Sequence, residues 1–175
     1  EAATAAPALL PTSTRSYAPP GEPASGDSRM PSVVVVLNPK GSIGTGFYVD
    51  ANEVLTNFHV VEGASTIELR GYDGQLFTGR VSKKDIGLDL ALIKVERAGP
   101  PLPMSQSILK PGDTVEAIGH PKGLFYSVSR GIVSAVRQMK GALAQGGDKA
   151  LVIQTDTAIN SGNSGGPLFH RDRVV

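Results

Sequence analysis

Ser164 stands in Gly162-Asn163-Ser164-Gly165-Gly166-Pro167, a hydroxyl set among residues that leave the backbone free to turn tightly. An alcohol is a weak nucleophile at its own pKa. One that does chemistry needs a base within hydrogen-bond reach, a partner that orients the base, and donors for a developing oxyanion. The glycines suit the last need, because the N–H groups of Gly162 and Ser164 can converge on one point in a loop that a Cβ would hinder. The same residues also fit a plain polar turn between strands, so a base and its partner must be sought elsewhere in the chain.

Two further stretches supply candidates. Thr56-Asn57-Phe58-His59-Val60-Val61 follows an expected strand and places the first of three histidines just past its end, where a short turn can hold the ring at a cleft. Gly87-Leu88-Asp89-Leu90-Ala91-Leu92-Ile93-Lys94-Val95 puts a carboxylate at the mouth of a near-continuous apolar strand. A carboxylate there can take the imidazole N–H, fix its tautomer and stabilise imidazolium. An exposed strand-end carboxylate is the plainer reading of Asp89, and Asp85 competes for the same role. His120, in the turn Gly119-His120-Pro121-Lys122-Gly123, is expected to be exposed, and His170 follows Leu168-Phe169 on an expected strand. Neither has a partner at metal-ligand spacing, so neither a metal site nor a cofactor is expected.

Groups so far apart in sequence meet only through folding, and the sequence between them reads as β. Short apolar runs at 32–37, 46–50, 53–56, 66–70, 76–81, 90–96, 114–119, 125–136 and 151–155 are separated by Gly, Pro, Asn and Asp. Turn signals such as Gly71-Tyr72-Asp73-Gly74 fit hairpins in a sandwich or barrel rather than βαβ units. The segment 99–111 carries four prolines and starts no strand, so it is expected to link a lobe over 31–98 to a second over 112–175. Residues 1–30, rich in Ala, Pro, Ser and Thr without sustained periodicity, are expected to form a disordered tether.

Composition narrows the class further. A chain of 175 residues with 40% hydrophobic content can bury a sizeable core. Seventeen basic against sixteen acidic residues leave a net charge of +1, which gives no electrostatic footprint for nucleic acid or an anionic membrane. Cysteine is absent, which removes disulfides and thiolate metal sites. The longest aliphatic run, Val33 to Leu37, is far shorter than the roughly 20 residues a membrane-spanning helix needs.

Taken together, T56-N-x-H-V-V, D89-L-A-L-I-K and T155-D-x-A-I-N-x-G-N-S-G-G-P-L, in the order His, Asp, Ser, resemble the chymotrypsin-type serine peptidases and specifically their HtrA/Deg branch. The resemblance covers about residues 32–170 and includes G44-T-G-F-Y-V, I118-G-H-P-K-G and G131-I-V-S-A. It implies an all-β fold of two antiparallel six-stranded Greek-key β-barrels, the second incomplete because the family's barrel continues past Val175. By this match Ser164 is the nucleophile, His59 the base and Asp89 its orienting partner, while Gly162 and Ser164 supply the oxyanion hole. Ala158 and Ile159 would line the first specificity pocket, and an alanine floor without an acidic residue favours small or medium apolar side chains.

The resemblance also implies how such an enzyme is used. Asn163 stands uncharged just before the nucleophile, so activation by pairing with a freshly cut N-terminus is not expected, and control would fall to loops around 120–125 and 138–149. Expected substrates are unfolded or misfolded polypeptides, with a homo-oligomer, by resemblance a trimer, in the periplasm or another extracytoplasmic space. The competing expectation is a catalytically silent peptide-binding or scaffold module with a protease-like fold.

Overall fold

The computed structural model describes residues 27–120, 126–139 and 150–175. The run Val33 to Val36 shows no alternation of burial because both of its faces are covered. It forms β1 (Val33–Leu37), whose Val34 and Val36 point into a closed barrel while Val33 faces the second lobe. The barrel continues with β2 (Ile43–Asp50), β3 (Glu53–Asn57), β4 (Thr66–Arg70), β5 (Leu76–Asp85) and β6 (Leu90–Val95), in the order β1-β2-β3-β6-β5-β4. Every pairing is antiparallel, and β1 against β4 closes the ring, so no strand edge is left open. Val34, Val54, Ile67, Leu69 and Ile93 fill the interior, each 1% exposed or less.

The second lobe holds β7 (Thr114–Gly119), β8 (Ser127–Met139), β9 (Ala150–Thr155), β10 (Leu168–His170) and β11 (Arg173–Val174). These make one sheet in the order β11-β10-β7-β8-β9, which is open among the described residues. Arg171 and Asp172, both with positive φ, form the two-residue turn between β10 and β11, the conformation a tight hairpin needs. The fold is therefore all-β, with one complete antiparallel six-stranded barrel and an incomplete second one.

Two segments join the lobes. Leu102 donates its N–H to the Tyr48 carbonyl at 2.9 Å, while Ser105 donates its N–H to the Val174 carbonyl at 2.6 Å and Val174 donates its N–H to the Pro103 carbonyl at 2.9 Å. At the chain's entry, the expected tether lies outside the described residues up to position 26, but 27–30 are built into the fold. Met30 is buried in the cluster between the lobes with Val33, Phe47, Ile118 and Phe169. Arg29 pairs with Asp27, Glu116 and Asp172 and lies 4.6 Å over the Phe169 ring. Asp27 first, with Glu116 adding, holds its guanidinium well above the ordinary value.

His120 corrects the sequence reading: it is buried, 1% exposed, where a surface turn was expected. Its turn-like neighbours conceal that β1 and the start of β8 close over the ring. Tyr126 donates its N–H to His120 Nδ1 at 3.1 Å and stacks edge-on at 4.7 Å, and the Val34 backbone lies beside the ring on β1. Burial pushes this imidazole down to about 4, against a smaller opposing pull from Val34.

Two stability measurements follow from this packing. A folded-state pKa below the unfolded value means that the unfolded chain binds the proton first. His120 should therefore cost stability progressively as pH falls from about 6.5 to 4, by about 3 kcal/mol in all. Urea midpoints across that window should fall more steeply for the wild type than for His120→Asn, and equal slopes would contradict the burial. Thr45, fully buried on β2, donates its hydroxyl to the Gly162 carbonyl at 2.6 Å, so Thr45→Val should lower the unfolding free energy by about 1–3 kcal/mol at neutral pH.

Candidate active site

His59 sits on α1 (Phe58–Val61), a single helical turn entered from β3 through Asn57. Val60 and Val61 on this turn are buried in the barrel core, which leaves the His59 ring half exposed on the opposite side. Asp89 lies just before β6 with φ +53, a left-handed conformation that aspartate tolerates better than most residues. Hydrogen bonds from the neighbouring β3–α1 segment hold it there. Its carbonyl accepts the Phe58 N–H at 2.9 Å and the Asn57 amide at 2.8 Å, its Oδ1 accepts the His59 backbone N–H at 2.8 Å, and its Oδ2 lies 2.6 Å from His59 Nδ1. A carboxylate at Nδ1 keeps the ring proton on that nitrogen and leaves Nε2 with a free lone pair. Asp85 does not compete, since its Oδ1 accepts the Leu88 N–H at 3.0 Å and so shapes the turn before Asp89.

Ser164 arrives from the other lobe. Its loop is fastened to β2: the Thr45 N–H donates to the Ser164 carbonyl at 2.8 Å, and the Thr45 hydroxyl takes the Gly162 carbonyl. The Thr45 carbonyl in turn accepts the Thr56 hydroxyl at 2.7 Å, so β2, β3 and the loop share one buried network. Gly165, with φ +82, packs where a Cβ would collide with Thr56 and with the Thr45 carbonyl. Gly162 has φ +102, and its carbonyl is turned toward Thr45. Among the described residues neither the Gly162 nor the Ser164 N–H has an intramolecular acceptor, so both donors are available to a ligand.

These groups meet at one cleft of about 570 Å³, lined by Gly41, Ile43, His59, His120, Gly162 and Ser164 among others. His59 and Ser164 share it without a hydrogen bond between them among the described residues, a looseness common before substrate is bound. Ala158 and Ile159 are exposed and do not line this cleft. The Ala158 carbonyl nevertheless accepts the Ser129 hydroxyl at 3.0 Å and the Asn163 amide at 3.4 Å, which ties that segment to the residue before Ser164. Of the expected control loops, 121–125 and 140–149 lie outside the described residues. His170 is remote from the cleft, its Nδ1 2.9 Å from the Thr114 carbonyl, and no metal-ligating cluster occurs among the described residues. Thr45 and Asn57 went unnoticed as site residues, although both stand inside stretches that resemble the family.

Comparison with known proteins agrees with this arrangement. A family described as the trypsin-like peptidase domain matches residues 44–175. The chain is 44% identical over 130 residues to HhoB of Synechocystis sp. (strain ATCC 27184 / PCC 6803 / Kazusa), named as a serine protease, covering 73% of this chain and 31% of that protein. It is 43% identical over 139 residues to a probable periplasmic serine endoprotease, DegP-like, of Marinomonas sp. (strain MWYL1), covering 78% of this chain and 29% of that protein. The active form of the Rv3671c protease from M. tuberculosis superposes with a TM-score of 0.75 at 27% identity, over 83% of this chain and 68% of that one. The chain thus spans about a third of the length of the curated relatives it matches. Fold, cleft and relatives converge: the chain belongs to the trypsin-like serine peptidases, in their HtrA/Deg-like branch.

Proposed function

We propose that this chain hydrolyses peptide bonds through Ser164, His59 and Asp89. The observation that carries the reading is the His59–Asp89 pair facing the same cleft as Ser164, beside two unengaged backbone N–H groups. Ser164 Oγ attacks the scissile carbonyl carbon and gives its proton to His59 Nε2. The carbonyl oxygen takes up negative charge and receives the N–H groups of Gly162 and Ser164. The C–N bond then breaks, the leaving amine collects the proton from His59, and water repeats the sequence to free the acyl group. Asp89 holds the tautomer throughout and stabilises the imidazolium.

The substrates proposed are unfolded polypeptides, because an extended chain can lay a scissile bond between His59 and Ser164 in the cleft they share. Ala158, tethered through Asn163 to the nucleophile loop, would admit small or medium apolar side chains on the acyl side, with Ile159 beside it. An extracytoplasmic location is part of the same proposal, supported by relatives named as periplasmic. No helix among the described residues is long and apolar enough to cross a membrane.

A fluorophosphonate probe, which reports an activated serine, tests the assignment directly. The wild type should label and Ser164→Ala should not, with turnover of an unfolded substrate reduced by about 10⁶-fold. Asp89→Asn should keep the fold and lose about 10⁴-fold, since the amide presents the wrong tautomer to the ring. Labelling indifferent to Ser164, or silence in the wild type, would favour a peptide-binding module instead.

A further inference from the structure

His120 belongs to none of the roles above, yet it is buried at the wall of the same cleft as His59 and Ser164. We propose that His120 is a positioning residue: it fastens the end of β7, on which the nucleophile loop rests, to β8 and to β1. The proposal rests on the peptidase reading of that cleft and deepens it.

The loop lies directly on the last residues of β7. Ile118 donates its N–H to the Pro167 carbonyl at 3.3 Å. A Cβ on Gly166 would fall 2.5 Å from the Ile118 carbonyl, and one on Gly119 would fall 3.0 Å from Asn163 Cα. Contacts this close leave no slack, so a shift in the end of β7 moves Asn163 and, with it, the adjacent Ser164. What fixes the end of β7 is the next residue. His120 Nδ1 accepts the Tyr126 N–H, the ring stacks edge-on against Tyr126, and Tyr126 stacks edge-on against Tyr72 at 4.8 Å. The Val34 backbone engages the ring from β1. Tyr126 itself has φ +58, a conformation that bulky residues hold only when their surroundings over-determine it.

The tie depends on a neutral ring, because a protonated imidazole has no lone pair at Nδ1 for the Tyr126 N–H. Around the ring and Tyr126, which stands just before β8, lie Tyr72 and Asp73 in the turn after β4, Arg70 on β4 and Arg97 after β6, with His59 across the cleft. The Asp73 carboxylate is engaged by Arg97, so it holds its charge as the ring titrates.

Two substitutions separate positioning from mere filling of space. Asn places an acceptor near the Nδ1 position, whereas Leu fills comparable volume with none. With fluorescein-labelled β-casein as substrate, His120→Leu should lose about 10–100-fold in kcat with KM within about twofold. His120→Asn should recover to within about threefold of the wild type. Leu and Asn variants that fall together, or a Leu variant as active as the wild type, would overturn the proposal. Should the Leu variant not fold, amide exchange in the wild type reads the same tie. Protection of the Tyr126 and Asn163 N–H groups should drop together as pH falls through about 4, and should not in His120→Asn. Tyr126 protection unchanged to pH 3.5, or lost without Asn163, would equally overturn it. Fluorophosphonate labelling of the wild type at neutral pH is the control: its absence defeats the peptidase reading, while the exchange result stands for or against His120.

Discussion

The two hydrogen bonds from Thr45 to the Ser164 loop are the constraint from which the cleft follows. They join the Gly162 and Ser164 carbonyls of the second lobe to a central strand of the first. Each is worth only about 0.5–1.5 kcal/mol net, but leaving either carbonyl buried and unmatched costs more, and the pair fixes direction as well as distance. With both carbonyls turned toward β2, the neighbouring N–H groups are left to face the cleft. Gly44, beside Thr45, shows how tight the seam is. A Cβ there would come within 2.7 Å of both Val60 methyls and 2.9 Å of the Ser164 carbonyl. One missing side chain thus lets the turn bearing His59 and the loop bearing Ser164 meet at one strand.

The His59–Asp89 pair is built by a different device, local rather than across lobes. Asp89 occupies a left-handed backbone conformation, which would be costly if its carbonyl and carboxylate were not both engaged by Asn57, Phe58 and His59. The pair remains open to water, with the His59 side chain 53% exposed and that of Asp89 29%. A polypeptide lying in the cleft would displace that water and strengthen the Asp89–imidazolium attraction just where charge develops. The same arrival would bring His59 and Ser164, unbonded here, into register.

Much of this was legible in the sequence because it is written locally. All nine expected strands exist, and they include β1, whose unbroken run of valines signals two buried faces. The pairing of Asp89 with His59 was legible because each sits at a strand end within a run whose apolar pattern demands burial. Contacts that cross the seam were not legible. Thr45 looks like an ordinary strand threonine until the partner carbonyl, 117 residues away, is known. Gly119-His120-Pro121 has the composition of an exposed turn, and nothing nearby in sequence announces that Val34 and Tyr126 cover the ring.

Arg29 completes the picture from the far end of the same strand. Its guanidinium holds Glu116 in the middle of β7, while Glu116 also takes Arg130 from β8 at 2.6 Å. Val34, five positions after Arg29, meets His120 through its backbone at the end of β7. The chain's entry into β1 therefore grips β7 at two points, by an ion pair at Glu116 and by an imidazole at His120. Between them Ile118 packs into the cluster formed by Met30, Val33 and Phe169. A strand held at its middle and at its C-terminal end has little freedom to slide. The loop resting on it inherits that rigidity, which the proposed reaction would need, since Ser164 and His59 are carried on separate lobes.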